Sequence, residues 1–393
     1  MIDGYLAEWL GLLGRWFHLT LGIAWIGASF YFVWLNNAVR PPLTADVSPR
    51  VAGDLWAVHG GAFYRVQKYG GAPETLPAEL HWFKWEAYLT WLSGFFLLLL
   101  VYWSNAAATM VTPDSPIGPG AAVGVAAAAL AGGYVAYDLA CRALARHPRV
   151  LAAAVIALVV TADVGLFQVL APRAAYLHVG AMLGTWMAAN VLFVIIPGQR
   201  AMVDAMVAGA PPPVERGAAG AQRSLHNNYF TLPVLFVMIS GHTPSTWGHP
   251  HGWLVLLGIA GAGVAVRHAL NTAERGRPMP WLWPIAAGSL VAAALYARPA
   301  RPAPVDGAPA VPLVTVQMIV AQRCLPCHTA RPILAGLASP PKGVVLDRPE
   351  TIEALREAIG VQVVSTRAMP LGNLTKMTDE ERATIAAWVA QPR

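Results

Sequence analysis

Two cysteines and a histidine near the end of the chain form the stretch CLPCH, residues 324–328. This spacing is the attachment sequence of a c-type haem, in which Cys324 and Cys327 bond covalently to the porphyrin. His328 follows closely enough to bind the iron from one face. Such a haem carries single electrons, so the motif predicts haem c and a redox role.

The opposite face of the iron needs a second ligand. The downstream stretch RAMPLGN supplies Met369, followed by a proline. A thioether ligand raises the potential of the iron, which suits an electron acceptor. Met377 and Met318 are rival ligands. Met377 precedes the sequence TDEE, which is typical of a capping box at a helix start, and Met318 is expected in the core of the preceding apolar helix.

The two cysteines also fit a zinc site or a thiol redox pair. Zinc needs two further ligands, and the third cysteine of the chain, Cys141, stands alone. A redox pair leaves the adjoining histidine and the downstream methionine unexplained. The order of apolar helix, CLPCH, methionine loop and closing helix instead predicts a class I-like cytochrome c domain over residues 312–393.

The rest of the chain is apolar. Of its 393 residues, 56% are hydrophobic and 12% are charged, about half the charged fraction of a soluble domain. The net charge of +6 is scattered over short loops without a basic block, which argues against nucleic-acid binding. The composition predicts an integral membrane protein in contact with lipid. The N-terminus lacks a basic start and a small-residue cleavage site, so we expect a retained first span.

About eight stretches have the length and apolarity of a membrane helix. They lie near residues 12–35, 82–104, 118–139, 150–171, 175–197, 226–243, 252–271 and 280–298. Arg and Lys concentrate in the odd-numbered loops between them, including Arg223 in the fifth and Arg267 near the seventh. The positive-inside rule then places both termini outside. We therefore expect an all-α, polytopic bundle in a bacterial inner membrane, with the haem domain in the periplasm.

The stretch ARPARPAPVDGAPAVP separates the two parts of the chain. Segments rich in proline and alanine act as semi-rigid spacers. The predicted organisation is a membrane domain over residues 1–298, a linker over 299–311 and the haem domain over 312–393.

Ionisable groups at membrane depth are costly, and by default they indicate a functional site. His18 and His178 are predicted at similar depth on the outer side, where two imidazoles facing each other would ligate a b-type haem. The alternative is that each histidine hydrogen-bonds a neighbouring helix.

The predicted inner side carries a denser polar set. Cationic and amide side chains bind a flat anionic heterocycle, and a carboxylate or imidazole accepts its proton. We expect Lys84, Glu86 and His226 to be catalytic. The expected substrate-binding residues are Arg65, His81, Asn227 and Asn228. The alternative is that these residues only mark the membrane surface, with aromatic side chains at the lipid headgroups and basic side chains that set the orientation of the helices.

Five long stretches carry a resemblance to a known family. They are RWFHLTLGIAWIGASFYFVWLN (15–36), HGGAFYRVQKY (59–69), HWFKWEAYLTWLSG (81–94), NVLFVIIPGQR (190–200) and SLHNNYFTLPVLFVMIS (224–240). Together with the c-type haem domain, they resemble the membrane-bound, cytochrome-c-coupled urate oxidases (urate hydroxylases) of bacteria. The resemblance covers essentially the whole chain.

The resemblance implies that urate loses two electrons, that water adds at C5 and that 5-hydroxyisourate forms. The electrons pass to the fused haem and on to a downstream periplasmic cytochrome or terminal oxidase. Two other classes compete with this prediction. A membrane-anchored electron carrier would need only one helix, and a transporter with a redox sensor predicts repeated halves, which the sequence does not show clearly.

Overall fold

The structure, a computed structural model, describes residues 4–42, 47–70, 73, 75–300, 302, 310–334 and 337–392. The longer helices are α1 (Gly4–Ala38), α2 (Trp85–Val101), α4 (Pro119–Ala143), α5 (Pro148–Val169), α6 (Pro172–Ala189), α7 (Ile196–Val207), α8 (Val214–Ser240), α10 (Gly252–Glu274), α11 (Leu282–Tyr296), α12 (Leu313–Arg323) and α15 (Asp379–Ala390). The short helices are α3 (Ala106–Thr109), α9 (Pro244–Trp247), α13 (Pro349–Ala354) and α14 (Arg356–Ile359). Single-turn or π-helical segments are Trp103–Asn105, Asn190–Ile195, Pro341–Gly343, Gly360–Ser365 and Leu371–Asn373.

Within the described residues, 6 helical stretches are long and apolar enough to cross a membrane. They are Tyr5–Ala38, Trp85–Thr109, Pro119–Ala143, Pro148–Val169, Pro172–Val207 and Gly252–Glu274. The other two predicted spans are also helices. However, α11 has only 15 residues, and α8 begins at Val214 instead of near residue 226. A crossing by all eight therefore remains a prediction.

The polar side chains of α8 explain why this helix is less apolar than its neighbours. Arg223, Asn227 and Thr231 follow one another at four-residue spacing and therefore share one face of the helix. All three are buried, as is Asn228 beside them. The polar face of α8 is thus directed into the bundle, towards α4 and α6 on one side and α10 on the other.

The expectation of an all-α chain is wrong in the first loop, where β1 (Val51–His59) and β2 (Ala62–Tyr69) form an antiparallel hairpin. Gly60 and Gly61 connect the strands with φ of 60° and 79°. A two-residue turn with positive φ at both positions matches the twist of the strands, and glycine adopts it without strain. The Gly-Gly pair between two β-prone runs was the sequence signal for this hairpin.

The fifth predicted span continues into one long helix with a π-helical segment inside it. Pro197 has no N–H, so the carbonyl of Phe193 loses its ordinary helical donor. The N–H of Ile196 instead donates to Val191, five residues back. The widened turn begins at Asn190, which is fully buried. Such π segments are frequent at functional sites.

The largest hydrophobic cluster joins α2, α4, α5, α6 and α8, and a second one joins α12 to α15 through Val316, Ile385 and Trp388. The C-terminal part contacts the bundle through the loop that carries Met369. A Cβ on Gly372 would lie 2.6 Å from the carbonyl oxygen of Ala108 in α3. Most of the predicted linker lies outside the described residues.

Candidate functional site

A buried arginine on α8 is the centre of the first polar cluster. Nη2 of Arg223 donates to Oδ1 of Asp138 on α4 over 2.7 Å, and Nη1 is 3.4 Å from Oδ1 of Asn190. The side chain of Arg223 is only 3% exposed, against 13% for Asp138. A buried cation is stable only when it is paired and hydrogen-bonded, and Asp138 supplies that charge.

Asn190, at the start of the π-helical segment, connects this ion pair to its neighbours. Its Nδ2 donates to the hydroxyl of Tyr137 over 3.0 Å and to Oδ1 of Asn227 over 2.9 Å. Nδ2 of Asn227 in turn donates to the carbonyl of Met187. Because each amide uses both its oxygen and its nitrogen, the network holds these side chains in one arrangement.

His226 adds an ionisable ring to this network. Its Nδ1 lies 2.8 Å from the hydroxyl of Tyr137, and Tyr137 stacks on Trp186 with ring centroids 4.6 Å apart. Its Nε2 forms no hydrogen bond with the described residues. We call the residues Tyr137, Asp138, Asn190, Arg223, His226 and Asn227 the Arg223 cluster.

A second buried arginine lies on the other side of α8. Arg267 of α10 donates from Nε to Oδ1 of Asn228 over 3.3 Å and from Nη2 to Oδ1 of Asn271 over 3.1 Å. Nδ2 of Asn271 also donates to Oδ1 of Asn228, over 2.9 Å. We call Arg267, Asn228 and Asn271 the Arg267 cluster. The structure therefore places the predicted residues Asn227 and Asn228 in two different clusters, which pack against different neighbours of one helix.

Arg223 was expected in the fifth loop and Arg267 near the seventh, and the structure corrects the placement of Arg223. Each one lies within a helix and is buried, because it points towards polar partners on neighbouring helices. The sequence carried a signal in the four-residue spacing of Arg223 with Asn227 and of Arg267 with Asn271. Tyr137 and Asn190 gave no comparable signal, since their roles depend on contacts between helices.

Lys84 and Glu86 lie at the start of α2, apart from both clusters. Nζ of Lys84 is 5.5 Å from the ring centroid of Trp85. Oε2 of Glu86 is buried without a hydrogen-bond partner in the described chain. The next residue, Ala87, belongs to one hydrophobic cluster with Val191 and Ile196, which lie in and just after the π-helical segment.

Arg65 and His81 lie in other surroundings. Arg65 belongs to β2 and forms a 2.9 Å ion pair with Asp54 of β1, while its guanidinium lies over the ring of Trp56. His81 is exposed before α2, in an edge-on contact with Phe83. Neither contact joins these residues to the clusters on α8.

The two candidate b-haem histidines differ in their hydrogen bonds. Nδ1 of His18 lies 3.0 Å from the carbonyl of Thr90 and 3.0 Å from Oγ of Ser93, which leaves Nε2 without a partner in the described residues. His178 uses both nitrogens, with Nδ1 bonded to Ala174 and Nε2 accepting from the indole of Trp103. In this arrangement His178 offers no nitrogen to an iron atom.

The residues of the CLPCH stretch form a turn that is compatible with the predicted attachment of haem c. The N–H of His328 donates to the carbonyl of Cys324, so the motif forms one helical turn. Nδ1 of His328 is bonded to the carbonyl of Val344 over 3.0 Å, which leaves Nε2 without a partner among the described residues. Metal-ligating histidines commonly bond their other ring nitrogen in this way. Burial raises the pKa of the Cys324 thiol to about 12.

Met369 packs against the same hydrophobic cluster as Cys324. Of its rivals, Met377 is a buried core residue, whereas Met318 is 56% exposed. The expectation that Met318 belongs to the core is wrong, because Ile319 and Val320 occupy the inner face of α12. The predicted capping box is present, with Thr378 and Glu381 bonded reciprocally.

Comparison with protein families gives one match for the larger part of the chain. A family model described as "Urate oxidase N-terminal" matches residues 4–298, which include both arginine clusters and end where the predicted linker begins. Comparison with curated proteins and with solved structures gave no match. By its match over residues 4–298, the chain belongs to the urate oxidase N-terminal family.

Proposed function

We propose that this protein is an integral membrane urate oxidase that passes the electrons of urate to a haem c bound by its own C-terminal domain. Membership of the urate oxidase N-terminal family carries the assignment of a urate-like substrate and an oxidoreductase reaction. In the proposed reaction urate loses two electrons, an oxygen from water bonds to C5, and two protons are released as 5-hydroxyisourate forms.

The polar groups on α8 suit the binding and deprotonation of this substrate. Urate is a monoanion at neutral pH, and the buried arginines and amides of both clusters provide the donors that an anionic heterocycle needs. His226 is the proposed base. When its Nδ1–H donates to Tyr137, its Nε2 carries the lone pair that accepts a proton from urate. Lys84 and Glu86 remain proposed as further acid–base groups.

The C-terminal domain is proposed to hold the electron acceptor. Cys324 and Cys327 would bind the porphyrin, and His328 and Met369 would be the iron ligands. When bound, haem c accepts single electrons. Asn228 lies twelve residues before the outer end of α8 at Ser240, about 18 Å at 1.5 Å per residue. Electrons from this depth need not cross the whole hydrocarbon layer of about 30 Å.

The proposal predicts that urate alone reduces the haem. Purified protein is mixed with urate without oxygen, and the absorption band of reduced c-type haem is recorded. We expect reduction, with two haem equivalents consumed per urate, and the new oxygen of the product derived from labelled water. An unchanged spectrum, in protein whose haem dithionite still reduces, would contradict the enzymatic function. A label from dioxygen would contradict the coupling to haem.

A further inference from the structure

The two buried arginines differ in their charge balance. Arg223 has its counter-ion in Asp138, at 2.7 Å. Arg267 has no carboxylate within ion-pair distance in the described part of the chain, and its side-chain partners are the amides Asn228 and Asn271. The acidic residue along α10, Glu274, lies two helical turns away, where it accepts a hydrogen bond from Asn37 and has only a longer-range electrostatic interaction with Arg267. The Arg267 cluster therefore keeps a net positive charge.

The acceptors within this cluster are already used. A guanidinium has only donors, so it fixes the oxygen of each amide towards itself. Oδ1 of Asn228 accepts hydrogen bonds from both Arg267 and Asn271. This orientation turns the Nδ2 group of Asn228 away, and this buried donor has no partner among the described residues. What the cluster still offers is a positive charge and an unpaired amide donor.

An aromatic face completes the surroundings. The Cζ atom of Arg267 is 4.2 Å from the ring centroid of Phe30 on α1. In the next residue of α10, Nδ1 of His268 is 2.7 Å from the hydroxyl of Tyr229. The ligand that fits is therefore an anion with acceptor atoms, since its charge neutralises the cation and an acceptor satisfies the amide donor of Asn228.

We infer that Arg267, Asn228 and Asn271 form the anion-binding site of this protein and that they, and not the Arg223 cluster, hold the negatively charged edge of the substrate. This inference rests on the proposed function, because urate as a flat monoanion is the ligand with which it is tested. Arg223, whose charge Asp138 balances, then has a positioning role for His226 through Asn190 and Tyr137.

The test measures binding without turnover. The full chain is reduced with dithionite so that it accepts no electrons, and binding of radiolabelled urate is measured by equilibrium dialysis. Arg267→Gln removes the charge. Asn228→Asp places a carboxylate beside Arg267, which gives the buried cation a counter-ion and therefore keeps the helices packed. We expect both variants to bind urate about 100-fold more weakly, as the loss of one or two charge-assisted hydrogen bonds implies.

Arg277→Gln is the matched control, because Arg277 is exposed just after α10 and the change of charge is the same. We expect it to bind urate like the unsubstituted protein. Urate binding by Asn228→Asp at the unsubstituted affinity would overturn the inference and leave the proposed function intact. If the unsubstituted protein neither binds urate nor is reduced by it, both fail together. Thermal unfolding of each variant separates loss of binding from loss of fold.

Discussion

The indole N–H of Trp103 donates a hydrogen bond to Nε2 of His178 over 3.0 Å, and the planes of the two rings differ by only 1°. The other ring nitrogen of His178 is bonded to the carbonyl of Ala174 over 2.7 Å. The histidine is fully buried in α6, and Trp103 follows the end of α2. The pair therefore joins two helices and holds a neutral imidazole in one tautomer.

Trp103→Phe should destabilise the bundle without changing its haem content. The substitution leaves Nε2 of His178 buried without a donor, at a cost of about 1–3 kcal/mol. We expect a thermal transition lower by a few degrees and a pyridine haemochrome spectrum of c-type haem alone. Trp16→Phe, at a 68% exposed position, is the control. A b-type component that disappears in His178→Gln would contradict a purely structural role for this histidine.

Gly372→Ala should weaken the contact between the C-terminal part, proposed to hold the haem, and the bundle. Gly372 has φ of 54°, and an added Cβ would meet the backbone of Ala108 at 2.6 Å. Gly343→Ala introduces the same backbone strain, at φ of 67°, with nothing within 4 Å. We expect urate-driven haem reduction to fall by an order of magnitude or more in Gly372→Ala only, because electron transfer decays steeply with distance. Stopped-flow absorbance measures both rates, and equal rates would show that this contact is not on the electron path.

Gly94→Ala should displace His18. An added Cβ would lie 2.8 Å from Cε1 of this ring, which is held against Thr90 and Ser93. We expect lower thermal stability, because the ring must leave hydrogen bonds worth about 1 kcal/mol each. Gly22→Ala in α1 has open space and should be neutral or slightly stabilising. Similar unfolding temperatures for both variants would mean that α1 shifts freely against α2.

Asp138→Asn should destabilise the protein through Arg223. The change leaves a 3% exposed guanidinium without its counter-ion, and the expected cost is about 3 kcal/mol. The double variant Asp138→Asn/Arg223→Gln should recover much of that loss, since the uncompensated charge is gone. Unfolding in detergent measures both. Asp114→Asn, at an exposed position, controls for the change of residue type. If the loss of unfolding free energy in the double variant equals the sum of the losses in the two single variants, the two residues do not interact.

Met369→His should lower the midpoint potential of the haem by on the order of 0.1 V or more, because a thioether ligand raises the potential relative to imidazole. Met318→Leu should leave it unchanged, as Met318 is exposed on α12. Spectroelectrochemical titration of the full chain measures both potentials. If Met377→Leu shifts the midpoint potential and Met369→His does not, the iron ligand would be Met377 and not Met369.

The apolar helices and most of their bounds followed from the sequence, because hydrophobic length is a local property. Six of the predicted spans are long apolar helices, and the predicted haem attachment at CLPCH likewise rests on five adjacent residues. The hairpin was missed even though its Gly-Gly turn is a local signal, since the loop was interpreted from its charges alone. The same emphasis on charge assigned Arg223 to a loop.

The arrangement of the polar clusters was decided only by tertiary structure. Asn227 and Asn228 are neighbours in the chain, yet the 100° turn between successive helical residues directs one towards Asn190 and the other towards Arg267. An arginine is neutralised when a neighbouring helix brings a carboxylate within ion-pair distance. Helix α4 does this for Arg223 with Asp138, whereas no described helix does so for Arg267, which has amide partners. Sequence determines the helices and the groups they carry, whereas their packing determines which charges meet.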